Sequence, residues 1–144
     1  MKKFISILLI AAFGTAALAH SGVKDETVKK RMALMTGIAE QMKVVGTMAK
    51  GQATFDAEKA RAALTQISAA STRIPQFFEM RADDPKSEAL PEIWEQFGKF
   101  TVLSNNTAQL ADQLVTTVNS QTDLPAVLKK MGACSKACHA GFRK

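Results

Sequence analysis

Three of the four cysteine and histidine side chains in this 144-residue sequence fall within six positions of one another, in the closing run "GACSKACHAGFRK". Thiols and imidazoles are the side chains best suited to nucleophilic attack and metal ligation. Cys138 and His139 are adjacent, and Cys134 lies just upstream. The spacing Cys-x-x-Cys-His attaches haem covalently: two thiols add to the vinyl groups and the imidazole binds iron from the same side. Here Ser135, Lys136 and Ala137 separate the cysteines, one residue more than that pattern has, while its second half stands unchanged.

At about 100° per helical residue, a cysteine three before Cys138 would lie roughly 60° around the helix from it. Cys134, four before, lies about 40° to the other side. Either a one-residue π-type bulge absorbs the extra residue, or Cys138 alone bonds to the haem. A free thiol beside a reactive vinyl would be captured during maturation, which favours two bonds. A Cys134–Cys138 disulfide is within reach of residues four apart, although the side chains diverge. A zinc site fits poorly, because the second histidine, His20, is remote and no acidic residue clusters nearby. Haem c, one group covalently attached, is the reading that uses all three residues.

Such a site needs elements to carry it, and the N-terminus sets where they work. Lys2 and Lys3 precede an apolar run from Phe4 to Leu18 that ends in Ala17-Leu18-Ala19. This is the layout of a cleaved secretory signal peptide, residues 1–19, and the run is short for a stable membrane anchor. The mature chain, 20–144, is expected to be a single haem-binding domain in an oxidising periplasm, where neighbouring cysteines are oxidised or covalently occupied. The formal net charge of +6 is spread along the chain without a Lys/Arg block, which argues against nucleic acid as a partner.

Beyond Ala19 the pattern is helical throughout, and nothing alternates with a period of two. Asp25 or Thr27 is placed to cap a first helix reaching Lys50 and stopping at Gly51. Its apolar stripe runs Val28, Met32, Met35, Ala39, Met42, Val45 and Ala49. Asp56 caps a second helix, which Pro75 ends or kinks. After a polar connection from Met80 to Leu90, Pro91 opens a third helix carrying Ile93, Trp94, Phe97 and Phe100. Asp123 caps the fourth, which runs through Val127, Leu128 and Met131 to the cysteines. The expected fold is all-α, an up-down-up-down four-helix bundle.

The residues also resemble a known family, the class II c-type cytochromes, which include cytochrome c prime and cytochrome c-556. The resemblance spans the mature chain and rests on Lys50-Gly51 followed by Phe55-Asp56-Ala57, on Pro91-Glu92-Ile93-Trp94, and on Cys138-His139 followed by Phe142-Arg143-Lys144. It implies a four-helix bundle with haem near one end. Aligned from His139, the family's first cysteine falls on Ser135, with Cys134 one place before it. That exchange of neighbours leaves the upstream register untouched, weighs against a bulge, and puts the first thioether in doubt.

Function turns on the far side of the iron. In an up-down-up-down bundle the start of the first helix lies beside the end of the fourth. Met35 sits about 15 Å along its helix and His139 about 6 Å from the end of its own, so both fall in one half of the bundle. Met32 passes the same test; Met42 and Met48 are too far along. The run "KKRMALMTGIAEQMKVVGTMAKG" resembles cytochrome c-556, whose ligand methionine matches Met35. In cytochrome c prime that position holds a non-bonding residue, and Arg31 resembles the cytochrome c prime pattern. A plain core methionine is the competing reading of Met35.

In the family an arginine matching Arg143 lies near the proximal side of the haem. Arg31 could pair with a haem propionate. For both, a solvated helix-end cation is the simpler role. Trp94 and Phe97 read as core and haem-packing residues.

The expected protein is therefore a periplasmic, low-spin His139/Met35 electron carrier, with Cys138 and Cys134 as tethers and other periplasmic redox proteins as partners. The alternative is a five-coordinate protein binding nitric oxide or carbon monoxide; a haem-free helical module is a third reading. No nucleophile–base pair, phosphate loop or paired carboxylates suggest an enzyme. Family members often dimerise through their first two helices, so a homodimer is open.

Overall fold

Asp25 starts the first helix as its residue type predicts: the backbone there is extended and its carboxylate accepts from Val28 N at 2.9 Å. In this computed structural model, which describes residues 22–144, α1 spans Glu26–Ala49. It ends where Gly51 takes the left-handed conformation at φ +68°. The signal-peptide reading of residues 1–19 lies outside the described residues.

Asp56 likewise caps α2, Ala57–Phe78, accepting from Lys59 N at 3.0 Å. Pro75, expected to end or kink this helix, does not end it: the helix continues three residues beyond, to Phe78. A proline removes the N–H that would reach the carbonyl four residues back, here Ser71. The Ser104 hydroxyl of the facing helix donates to the Ser71 carbonyl instead, at 2.6 Å. A side chain from another helix thus satisfies the acceptor that proline leaves unpaired.

The end of α2 is closed from outside as well. The Arg31 guanidinium, only 3% exposed, donates through Nε to the Phe77 carbonyl at 2.8 Å and through Nη1 to the Ala82 carbonyl at 3.2 Å. Its Nη2 donates to the Met80 carbonyl. Trp94 Nε1 donates to the Phe78 carbonyl at 2.8 Å. The last carbonyls of a helix have no partners within it, and these two side chains supply them. The guanidinium also stacks near the Phe78 and Trp94 rings, at 4.7 and 5.3 Å from their centroids.

The third helix of the sequence reading is two. Pro91 precedes a single turn, α3, Glu92–Glu95, and the chain breaks at Gln96 (φ −123°, ψ 40°) before α4, Phe97–Val115. The turn buries Ile93 and brings the Trp94 indole back to the end of α2. Asp123 is also used differently from the expected cap. Its carboxylate accepts from the backbone N–H of Asn119 and Ser120 and from the Ser120 hydroxyl. It thereby closes a short 3₁₀ turn, Gln121–Asp123, out of which α5, Leu124–Phe142, runs directly.

The four long helices form an all-α four-helix bundle, and no β-strand forms among the described residues. Its core divides in two. One cluster, around Val45, Leu64, Ile67, Leu114 and Val127, fills the half holding the 3₁₀ turn. The other, Ile74, Phe78, Ile93, Phe100 and Phe142, is largely aromatic. Phe100 packs edge-on to Phe142 at 5.3 Å. α2 packs closely on α1 and α4, while α1 and α5 touch least of the adjacent long helices.

Two tests follow from this framework. Arg31→Met keeps the bulk but strands three carbonyls, and should lower unfolding stability by about 3 kcal/mol, read from denaturant midpoints. The Asp84 carboxylate accepts from Lys24 N (2.7 Å), Asp25 N (3.1 Å) and Lys86 N (2.9 Å). These bonds, that to Lys86 most, lower its pKa from 3.8. A lowered carboxylate pKa gives stability that is complete above the unfolded value and lost as pH falls through the folded one. The advantage of wild type over Asp84→Asn should therefore hold steady above the ordinary carboxylate range and fall away as pH drops through the lowered folded-state pKa, read from pH-dependent unfolding.

Candidate functional site

Where α1 and α5 stand apart, a cavity of about 640 Å³ opens between them, with α2 and α4 as its floor. That size lies within the range of small-molecule and cofactor sites. From α1, Met32, Met35, Ala39 and Met42 face it; from α5, Ser135, Cys138 and His139 do, and Arg143 follows just past its end. Ile74, Phe78 and Phe100 supply much of the apolar floor, and Ser87, Glu88 and Ala89 form part of the rim. The middle of the predicted α1 stripe is thus not core: Met32, Met35 and Met42 are half-buried and Ala39 is exposed, all on the cavity wall.

Met35 and His139 do meet at one cavity from opposite sides, and Met32 shares the wall. Met42, placed too far along by helical rise, lines it as well, whereas Met48 is buried in the core, 2% exposed. Met35 and Cys138 both pack against the aromatic cluster. The cysteines part company. Cys138 lines the cavity, Cys134 does not, and Ser135 takes the wall position next to it. The two cysteines are not bonded to each other, and α5 passes through both as unbroken α-helix, without the bulge that the long spacing suggested.

Arg31 is among the residues of the cavity wall, but each of its guanidinium nitrogens donates to a carbonyl at or beyond the end of α2. Its contacts are those of a structural cap. Burial lowers its pKa from 12.5, and the carboxylates of Asp25 and Asp83 oppose that shift.

The proximal side shows an arrangement the sequence does not announce. The chain before α3 pairs with the chain after α5: Leu90 N donates to the Phe142 carbonyl at 3.1 Å, and Lys144 N to the Glu88 carbonyl at 2.9 Å. Arg143 Nε donates to Glu88 Oε2 at 2.6 Å, and Nη2 pairs with the same oxygen. Glu88 is 55 residues from Arg143. No spacing rule links them; only the polar character of the connection marked it as surface.

His139 faces the opening. Partial desolvation of its ring lowers its pKa from 6.5, the Arg143 cation adds to this, and Glu88 opposes it. The imidazole is therefore held in the neutral form that ligates metals. The Ser135 hydroxyl lies 3.4 Å from Nδ1, a weak contact that leaves Nε2 as the ring nitrogen for a metal. Burial raises the Cys138 pKa above 9.0, so the side chain rests as a thiol.

Among the described residues no cluster of three or more His, Cys, Asp and Glu could cage a bare ion. One imidazole and one thioether across a large apolar cavity suit a metal whose remaining ligands arrive with it, in a macrocycle. Cavity size, apolar floor and the Cys138–His139 pair all fit haem.

A four-helix bundle with that cavity and that pair is a class II c-type cytochrome. The sequence pattern of the family described as Cytochrome C′ matches residues 26–143, and the chain belongs to that family. It is 32% identical over 117 residues to cytochrome c-556 of Agrobacterium tumefaciens (strain II Chrys), covering 81% of this chain and 95% of that one. It is 28% identical over 142 residues to cytochrome c′ of Rhodopseudomonas palustris, covering 96% of each. The structure of oxidised R. palustris cytochrome c556 superposes with a TM-score of 0.76 at 26% identity, covering 84% of this chain and 98% of that one. The cofactor is covalently bound haem c, one group.

The Glu88–Arg143 pair is exposed, so Glu88→Gln should cost only about 0.2–1 kcal/mol. The difference should shrink in about 1 M salt, as screening predicts, when denaturant midpoints are compared at low and high ionic strength.

Proposed function

We propose that the protein is a periplasmic, monohaem electron carrier with a low-spin iron between His139 and Met35. The observation that carries this reading is the placement of those two side chains on opposite walls, α5 and α1, of one apolar cavity. Bound there, haem supplies a one-electron iron couple. The chain's own residues do the rest. His139 is kept neutral by desolvation and Arg143, and so is ready to donate a lone pair. Met35 offers a soft thioether, which favours the reduced state and raises the potential. The aromatic floor excludes water and limits rearrangement between oxidation states.

Export follows from the sequence of residues 1–19, and no helix among the described residues is long and apolar enough to cross a membrane. The partners in this reading are periplasmic redox proteins, with a homodimer as the possible assembly. Electron carriage, not turnover of a substrate, is the activity proposed.

Gas binding at an open distal face is the second reading. Relatives named cytochrome c′ and the packing of Met35 against the aromatic cluster, as a core methionine would pack, favour it. The reduced visible spectrum separates the two: sharp split bands for the carrier, a broad high-spin spectrum that changes promptly with carbon monoxide for the alternative.

Substitution locates the ligand. Met35→Ala should turn the haem high-spin, lower its potential and open it to carbon monoxide, while Met32→Ala leaves the coordination intact. The reverse pattern would move the ligand one turn toward the start of α1.

A further inference from the structure

The geometry points to a single covalent tether: Cys138 alone forms a thioether, Ser135 faces the second vinyl group, and Cys134 keeps its thiol. This rests on the haem reading above and deepens it. The cavity-facing residues of α5 are Met131, Gly132, Ser135, Cys138, His139 and Phe142. On a helical projection this face covers an arc of about 120°, with Cys138 at one edge and Gly132 at the other. Ser135 falls about 60° inside the Cys138 edge, and Cys134 about 40° outside it. Cys134 is thus displaced from the cavity on the side away from its centre. A bulge could correct this, but α5 is continuous α-helix from Leu124 to Phe142, and the register that presents His139 depends on that continuity.

The chemistry separates the two positions further. In the tethering step the Cys138 sulfur bonds to one vinyl carbon, the vinyl π bond breaks, and the thiol hydrogen ends on the other carbon. No electrons are gained or lost. The Ser135 hydroxyl is a far weaker nucleophile than a thiol and does not add. Its place on the wall gives it a different use, at 3.4 Å from Nδ1 of His139. One vinyl group therefore stays unsaturated.

The test is made on the purified holoprotein. After denaturation and reduction, alkylation with iodoacetamide should add one group, mapped by peptide mass to Cys134, with haem retained on the Cys138 peptide. The pyridine haemochrome band should lie at the position of a haem with one vinyl left. Ser135→Cys should move that band to the position for two saturated vinyls while Cys134 is still alkylated. Wild-type protein with no alkylatable thiol and both vinyls saturated would overturn the single tether and leave the haem reading standing. An unmoved band in Ser135→Cys would overturn the placement of position 135. Haem that extracts into acidified solvent would overturn both this proposal and the covalent reading beneath it.

Discussion

One buried guanidinium holds this bundle in the shape its cavity needs. Arg31 enters from α1 and binds carbonyls of Phe77, Met80 and Ala82, where α2 gives way to the long connection. Burying a cation is costly unless its donors are matched, and three carbonyls with two aromatic faces match them. α1 is thereby pinned to the end of α2 instead of leaning onto α5. Trp94, donating to the neighbouring Phe78 carbonyl, fixes α3 to the same point. From there the connection runs to Glu88 and Ala89, which meet the end of α5. The start of α1 and the end of α5 are each held by something other than the other, and the gap between them persists.

That gap explains why half of an apolar stripe is not buried. In an ordinary bundle Met32, Met35 and Met42 would meet side chains of α5; here they meet a cavity. Methionine suits such a wall, since its unbranched side chain adapts to an irregular surface and its sulfur can ligate. The cluster around Leu64 and Leu114 packs the middle of the other half, with Val45, Ile67 and Val127 fully buried. One half of the bundle is packed for stability and the other is shaped for a guest, with the aromatic cluster as floor.

Local rules carried much of the fold. Aspartates at 25 and 56, glycine at 51 and the three-to-four spacing of apolar residues announce the first two helices, and those signals act over one or two turns. The Cys138–His139 pair announces the site. What could not be read depends on contacts between distant segments. Pro75 stays inside a helix because Ser104, on another helix, takes over its lost hydrogen bond. Gln96 breaks a helix that its apolar spacing would continue, because Ile93 and Trp94 answer to α2. Arg31, whose charge suggested a propionate partner, is engaged by carbonyls no closer than 46 positions away. Met42, set aside as a ligand by its distance along α1, still shares the wall. Glu88 carries no signal at all, since an acidic residue in a polar connection is expected in any protein.

Charge around His139 shows how these distant contacts reach the chemistry. Desolvation does most to disfavour the imidazolium, and the Arg143 cation four residues on adds to it. Glu88 cancels part of that field from the opposite segment. The pair is exposed, so its worth to folding is small. Its position matters more, because the same two residues fasten the chain end that carries His139 to the rim of the cavity. The ionic contact thus holds the end of α5 in place while setting the field in which its histidine works.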